Sequence, residues 1–128
     1  MTLLSYEVTF DSGQMETVKK ALDHYLDVCR REIRSGGSVP FISDRLTIKR
    51  LLARLRKHAH VPTHIDDGEL FALQDALSNY SEACEQGIAS GEAVPFTADR
   101  STIKIIFGLL DDAIERTYVE AAQRNADQ

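Results

Sequence analysis

Little in this chain invites disulfide, membrane or cofactor chemistry. It contains two cysteines, three prolines, seven glycines and no tryptophan. Two cysteines cannot build a disulfide framework, and their scarcity fits a reducing compartment, so a cytoplasmic location is expected. So few prolines and glycines leave no room for a low-complexity linker. No apolar run approaches the roughly 20 residues of a membrane span. Met1-Thr2-Leu3-Leu4-Ser5 lacks the basic and long apolar segments of a secretory leader. Neither a phosphate-binding GxxxxGK[ST] loop, nor an HExxH pair, nor a Cys/His zinc spacing occurs. No cofactor or metal is therefore expected. No nucleophile with its base, and no acid–base pair, is placed by spacing, so no catalytic residue is assigned and an enzyme is not expected.

What the chain does contain is a repeat. Residues 10–55 recur as residues 65–110 at a constant offset of 55, without gaps, and 18 of the 46 paired positions are identical. Tyr25 answers Tyr80, Cys29 answers Cys84, Val39-Pro40-Phe41 answers Val94-Pro95-Phe96, and Asp44-Arg45-x-Thr47-Ile48-Lys49 answers Asp99-Arg100-x-Thr102-Ile103-Lys104. A period of this length describes one supersecondary unit used twice within a single 128-residue domain.

The unit reads as a helical hairpin. Met15, Val18, Leu22, Tyr25, Cys29 and Ile33 are spaced by three and four, as are Leu70, Leu73, Leu77, Tyr80, Cys84 and Ile88. Asp11-x-x-Gln14 and Asp66-x-x-Glu69 resemble capping boxes, and Ser35-Gly36 and Ser90-Gly91 supply stops. The second helices are expected to open near Asp44 and Asp99, acting as caps, because proline pushes Val39 and Val94 toward extended backbone. Phe41 and Phe96 are expected to plug the hairpin ends. The fold expected is all-α, a tandem duplication of a helical hairpin with four helices. Residues 4–10 alternate apolar and polar as a short extended arm would, leaving open a pairing with residues 60–65.

Few residues suggest chemistry. Cys29 and Cys84 lie in apolar stripes and are read as core. His24, His58, His60 and His64 share no metal spacing, and His58 and His60, two apart, would face different sides of a helix. The repeated corner is more suggestive. Arg45, Thr47 and Lys49, and again Arg100, Thr102 and Lys104, would set a hydroxyl and two cations beside a helix N-terminus. Such a site could hold a small anion such as a nucleotide, though a rigid structural corner is the preferred explanation.

Charge divides the two halves. Residues 1–60 carry 11 Lys/Arg against 7 Asp/Glu, and residues 61–128 carry 4 against 13. Arg30, Arg34, Lys49, Arg50, Arg54 and Lys57 form the candidate partner-binding face of the first copy. Glu82, Glu85, Asp111, Asp112 and Glu115 form an acidic counterpart in the second. The function expected is a non-enzymatic interaction module of inhibitor or adaptor type that offers a charged helical face to a partner protein. A small-anion binder is the first alternative and nucleic-acid binding through the basic copy the second. Overall acidity and the lack of aromatics among the basic residues count against the latter. Ile105 replaces Arg50 in the second copy, so the last helix is apolar over Ile103, Ile105, Ile106, Phe107, Leu109 and Leu110. Such a helix either forms the centre of the monomer or turns its extra face to another chain, so a homodimer through it is one of two alternatives.

Overall fold

The computed structural model describes residues 4–36, 39–55, 60–91 and 93–126. Along the chain come β1 (Ser5–Val8), α1 (Ser12–Arg34), α2 (Val39–Leu55), β2 (Thr63–Asp66), α3 (Asp67–Ala89) and α4 (Ala93–Ala126). The fold is all-α with a short extended arm at its start. α1 and α3 pack on each other at the centre. α2 lies against α1 and also touches α3, while α4 lies against α3 and also touches α1. The apolar stripes read from the sequence meet in this core. Leu22, Ile48, Leu51, Leu77, Ile103, Ile106 and Leu110 are all buried, and each such side chain contributes about 2 kcal/mol of transfer free energy.

Both central helices begin on complete capping boxes. Asp11 Oδ1 accepts the Gln14 amide at 2.7 Å while Gln14 Oε1 accepts the Asp11 amide at 3.0 Å. Asp66 and Glu69 repeat this at 2.8 and 3.0 Å. Both helices also close alike. Ser35 and Ser90 donate their hydroxyls to Arg31 and Gln86 carbonyls at 2.9 Å, and Gly36 and Gly91 follow with φ of +82° and +91°. At that left-handed conformation a side chain would be strained.

The second helix of each hairpin departs from expectation. α2 begins at Val39 and α4 at Ala93, so Val39, Val94 and both prolines belong to first turns, where a missing amide hydrogen costs nothing. Asp44 and Asp99 are therefore not caps. They lie inside the helices, where tertiary hydrogen bonds from Tyr25 and Tyr80 claim their carboxylates. Phe96 does fill the end of its hairpin, packed on Gly87, where a Cβ would come within 2.5 Å of its ring. The side chain of Phe41 lies outside the described residues. Gly87→Ala is expected to lower stability by about 1 kcal/mol in denaturant titration, the overpacking outweighing alanine's better helix propensity.

The arm is a paired strand. β1 and β2 run antiparallel, with Tyr6 opposite Ile65 and Val8 opposite Thr63. Val8 and Thr63 stand 55 positions apart, so a two-fold axis relating the halves would have to pass between them. Beyond that pair the ladder slips. His60 adopts a φ of +66° and its amide donates to the Phe10 carbonyl at 2.8 Å. α4 is the other asymmetry, being 34 residues long against the 17 described residues of α2. Its additional turns lie over β1, where Arg116 Nη2 donates to the Glu7 carbonyl at 3.2 Å.

Candidate functional site

The basic residues of the first half do not form one uniform patch. Arg30 and Arg34 end α1, and both are exposed. Arg30 is drawn toward Asp27 one turn earlier, at 3.6 Å. Arg54 is committed to the fold, its guanidinium lying 2.6 Å from Glu69, the buried glutamate of the α3 capping box. Arg34, Lys49 and Arg50 are exposed and form no ion pair among the described residues. Lys57 lies outside the described residues. The acidic set Glu82, Glu85, Asp111, Asp112 and Glu115 is exposed throughout.

The repeated corner is built around a tyrosine–aspartate contact. Tyr25 donates its hydroxyl to Asp44 at 2.9 Å, and Tyr80 donates to Asp99 at 2.6 Å. Burial and then these carboxylates push both phenols well above their ordinary range. The surroundings differ in a way that follows directly from the substitutions. Asp99, buried, also takes Lys20 Nζ at 3.5 Å and the Thr17 hydroxyl at 3.4 Å. The corresponding positions in the other half are Asp75 and Ala72. Where Asp99 meets a cation, Asp44 meets a second carboxylate, and Asp75 is pushed above the usual carboxylate range by burial and by Asp44.

That asymmetry has a testable sign. A raised folded pKa means that Asp75 favours the folded state when protonated and loses that contribution as pH rises through the folded value. Asp75→Lys should therefore stabilise the protein near neutrality, by about 0.5 kcal/mol at so exposed a position. The difference from wild type should shrink toward acid pH. Urea titrations of both proteins across the carboxylate range check it.

The candidate anion residues occupy these corners but not helix N-termini. Arg45, Thr47 and Lys49 are in the second and third turns of α2, and Arg100, Thr102 and Lys104 are likewise inside α4. Thr102 donates its hydroxyl to the Ala98 carbonyl at 3.0 Å. Arg45 Nε is buried without a hydrogen-bond partner.

Cys29 and Cys84 are free and fully buried, and burial pushes both thiols up, which suits packing rather than nucleophilic attack. The histidines are dispersed. His24 tilts against the Tyr80 ring at 5.7 Å, His60 bonds Ser12 at 3.0 Å, His64 is exposed on β2, and His58 lies outside the described residues. Among the described residues no His, Cys, Asp or Glu cluster could hold a metal ion. An open, mostly polar groove of about 640 Å³ runs between β1 and α4, lined by residues such as Glu7, His64, Arg116 and Arg124. No described helix is long and apolar enough to cross a membrane.

No family model, curated protein or solved structure matches this chain. Two features of its surface chemistry escaped the sequence reading. Arg54 looked like any other exposed cation because its partner Glu69 comes from the other half. The Lys20-to-Asp75 exchange was visible in the 55-residue alignment, but its meaning required knowing that both positions face the second helix of the opposite hairpin.

Proposed function

We propose that the chain is a non-enzymatic, cytoplasmic interaction module of inhibitor or adaptor type. It docks an acidic protein surface on the outward side of α2, centred on Lys49 and Arg50, with Arg34 at the hairpin end. The observation that carries this reading is the division among the cations. Arg54 and Lys20 hold structural carboxylates, whereas Lys49, Arg50 and Arg34 are exposed and make no ion pair among the described residues. Uncompensated charge on a rigid helix steers association and selects an oppositely charged partner. Free, buried thiols fit a reducing compartment. The acidic outer surface of the second half disfavours a nucleic-acid duplex, which would also impose a steep salt dependence.

The test is affinity capture from a nuclease-treated native extract with wild type and with Lys49→Glu/Arg50→Glu. Arg54 is left intact because its loss would disturb α3. Capture of a protein by wild type that the variant loses supports the module. A retained protein indifferent to the variant, or none at all, removes it.

One observation favours the small-anion reading as a second possibility for the same chain: the buried, unpartnered Nε of Arg45. An anion reaching that donor would satisfy it. Thermal shift with inorganic phosphate and a nucleotide panel, against Arg45→Ala, decides this. The reading requires stabilisation of wild type that the variant lacks.

A further inference from the structure

The outward faces of α2 and α4 differ in charge, and each also exposes aliphatic surface; at the 55-residue offset Leu46, Lys49, Arg50 and Ala53 answer Ser101, Lys104, Ile105 and Gly108, and the acidic residues of α4 begin one turn further on. On α2, Leu46, Lys49, Arg50 and Ala53 are all exposed and recur at helical spacing. On α4, Ile105, Gly108, Asp112, Glu115 and Val119 follow a three-four-three-four spacing, and all are exposed. Leu46 and Ile105 are each 57% exposed, and Val119 is 49% exposed. These are branched apolar side chains that the monomer leaves in water.

We infer that this α4 face docks on the α2 face of a second copy of the chain, giving head-to-tail self-association. Charge selects the arrangement. An α4–α4 contact centred on Asp112 and Glu115 would set these carboxylates against their own copies, and an α2–α2 contact centred on Lys49 and Arg50 would do the same with the cations. Juxtaposed like charges penalise both symmetric options. In the α2–α4 contact Lys49 and Arg50 meet Asp112 and Glu115, while Leu46 meets the Ile105 or Val119 end. Ala53 and Gly108 present little side-chain bulk, which permits close approach of the two helices. Such a contact is heterologous: every docked copy keeps one unused face of each kind, so assembly continues until it closes or forms a filament. The homodimer considered through the last helix thus becomes an asymmetric chain of contacts, with α4 as one side only. The inference uses the same α2 face as the proposed function but no outside partner. Its tests contain purified chain alone, so its failure and a failure of partner capture are read separately.

Sedimentation analysis of wild type should show mass rising with concentration past a dimer. The association should weaken about tenfold or more from low to high ionic strength. Lys49→Ala/Arg50→Ala and Asp112→Ala/Glu115→Ala should each be monomeric on their own, with circular dichroism melts showing both folded. Mixed together, they should form a 1:1 pair that grows no further, because the mixture retains one live face of each kind. A wild type monomeric at low ionic strength overturns the inference. So does an assembly that persists in either variant alone, or a mixture that fails to pair.

Discussion

Asp99→Ala is expected to be among the most damaging single changes in this protein, costing about 3 kcal/mol of unfolding free energy. Asp99 is 7% exposed and is approached by the Tyr80 hydroxyl at 2.6 Å, Lys20 Nζ at 3.5 Å and the Thr17 hydroxyl at 3.4 Å. Truncation leaves a partly buried phenol without its acceptor and a cation without its counter-charge. It also opens the junction of α4 with α1 and α3. Asp44→Ala removes the corresponding carboxylate, but there Tyr25 is the donor among the described residues and the neighbouring charge is the repulsive Asp75. Its expected cost is under half as large, about 1 kcal/mol. Guanidinium titrations of the two variants give the comparison, and equal losses would show that the Lys20–Asp75 exchange has no energetic consequence.

Arg54→Ala is expected to cost about 2 kcal/mol although half of its side chain is exposed. Its partner Glu69 is only 5% exposed and has two duties, accepting Arg54 Nη2 at 2.6 Å and the Asp66 amide at 3.0 Å. Without the guanidinium, a buried carboxylate remains at the first turn of α3 with only the cap to satisfy it. Glu69→Gln keeps the capping acceptor while removing the charge. Adding it to Arg54→Ala should therefore restore most of the loss, a coupling that a double-mutant cycle measures directly. Lys49→Ala and Arg50→Ala on the same helix should each change stability by no more than about 0.5 kcal/mol. That contrast separates the cation that holds the fold from those proposed to meet a partner.

Much of the architecture is local in origin and so was open to sequence reasoning. The stripe from Met15 to Ile33 and its counterpart from Leu70 to Ile88 define helices because the three-four spacing places one apolar line on one face. Asp11, Gln14, Asp66 and Glu69 lie within a single turn of the atoms they cap, so their capping depends on four consecutive residues, although Glu69 also takes Arg54 from the other half. The glycines after Ser35 and Ser90 close α1 and α3 for the same short-range reason. The expectation failed where a local preference met a tertiary alternative. Asp44 and Asp99 have the chemistry of caps, but across the hairpin Tyr25 and Tyr80 offer a part-buried hydroxyl donor, and the helices start earlier.

The candidate site divides along the same line. The sequence by itself determined that the two halves share an apolar plan and differ in charge, because composition and offset are properties of the chain alone. Only the tertiary structure decided which charges are available. Arg54 meets Glu69 from the other half, and Lys20 meets Asp99 at a separation of 79 residues. Lys49 and Arg50 remain in solvent. Pairing across such distances follows from how helices from the two halves pack, and one-dimensional spacing carries no record of it.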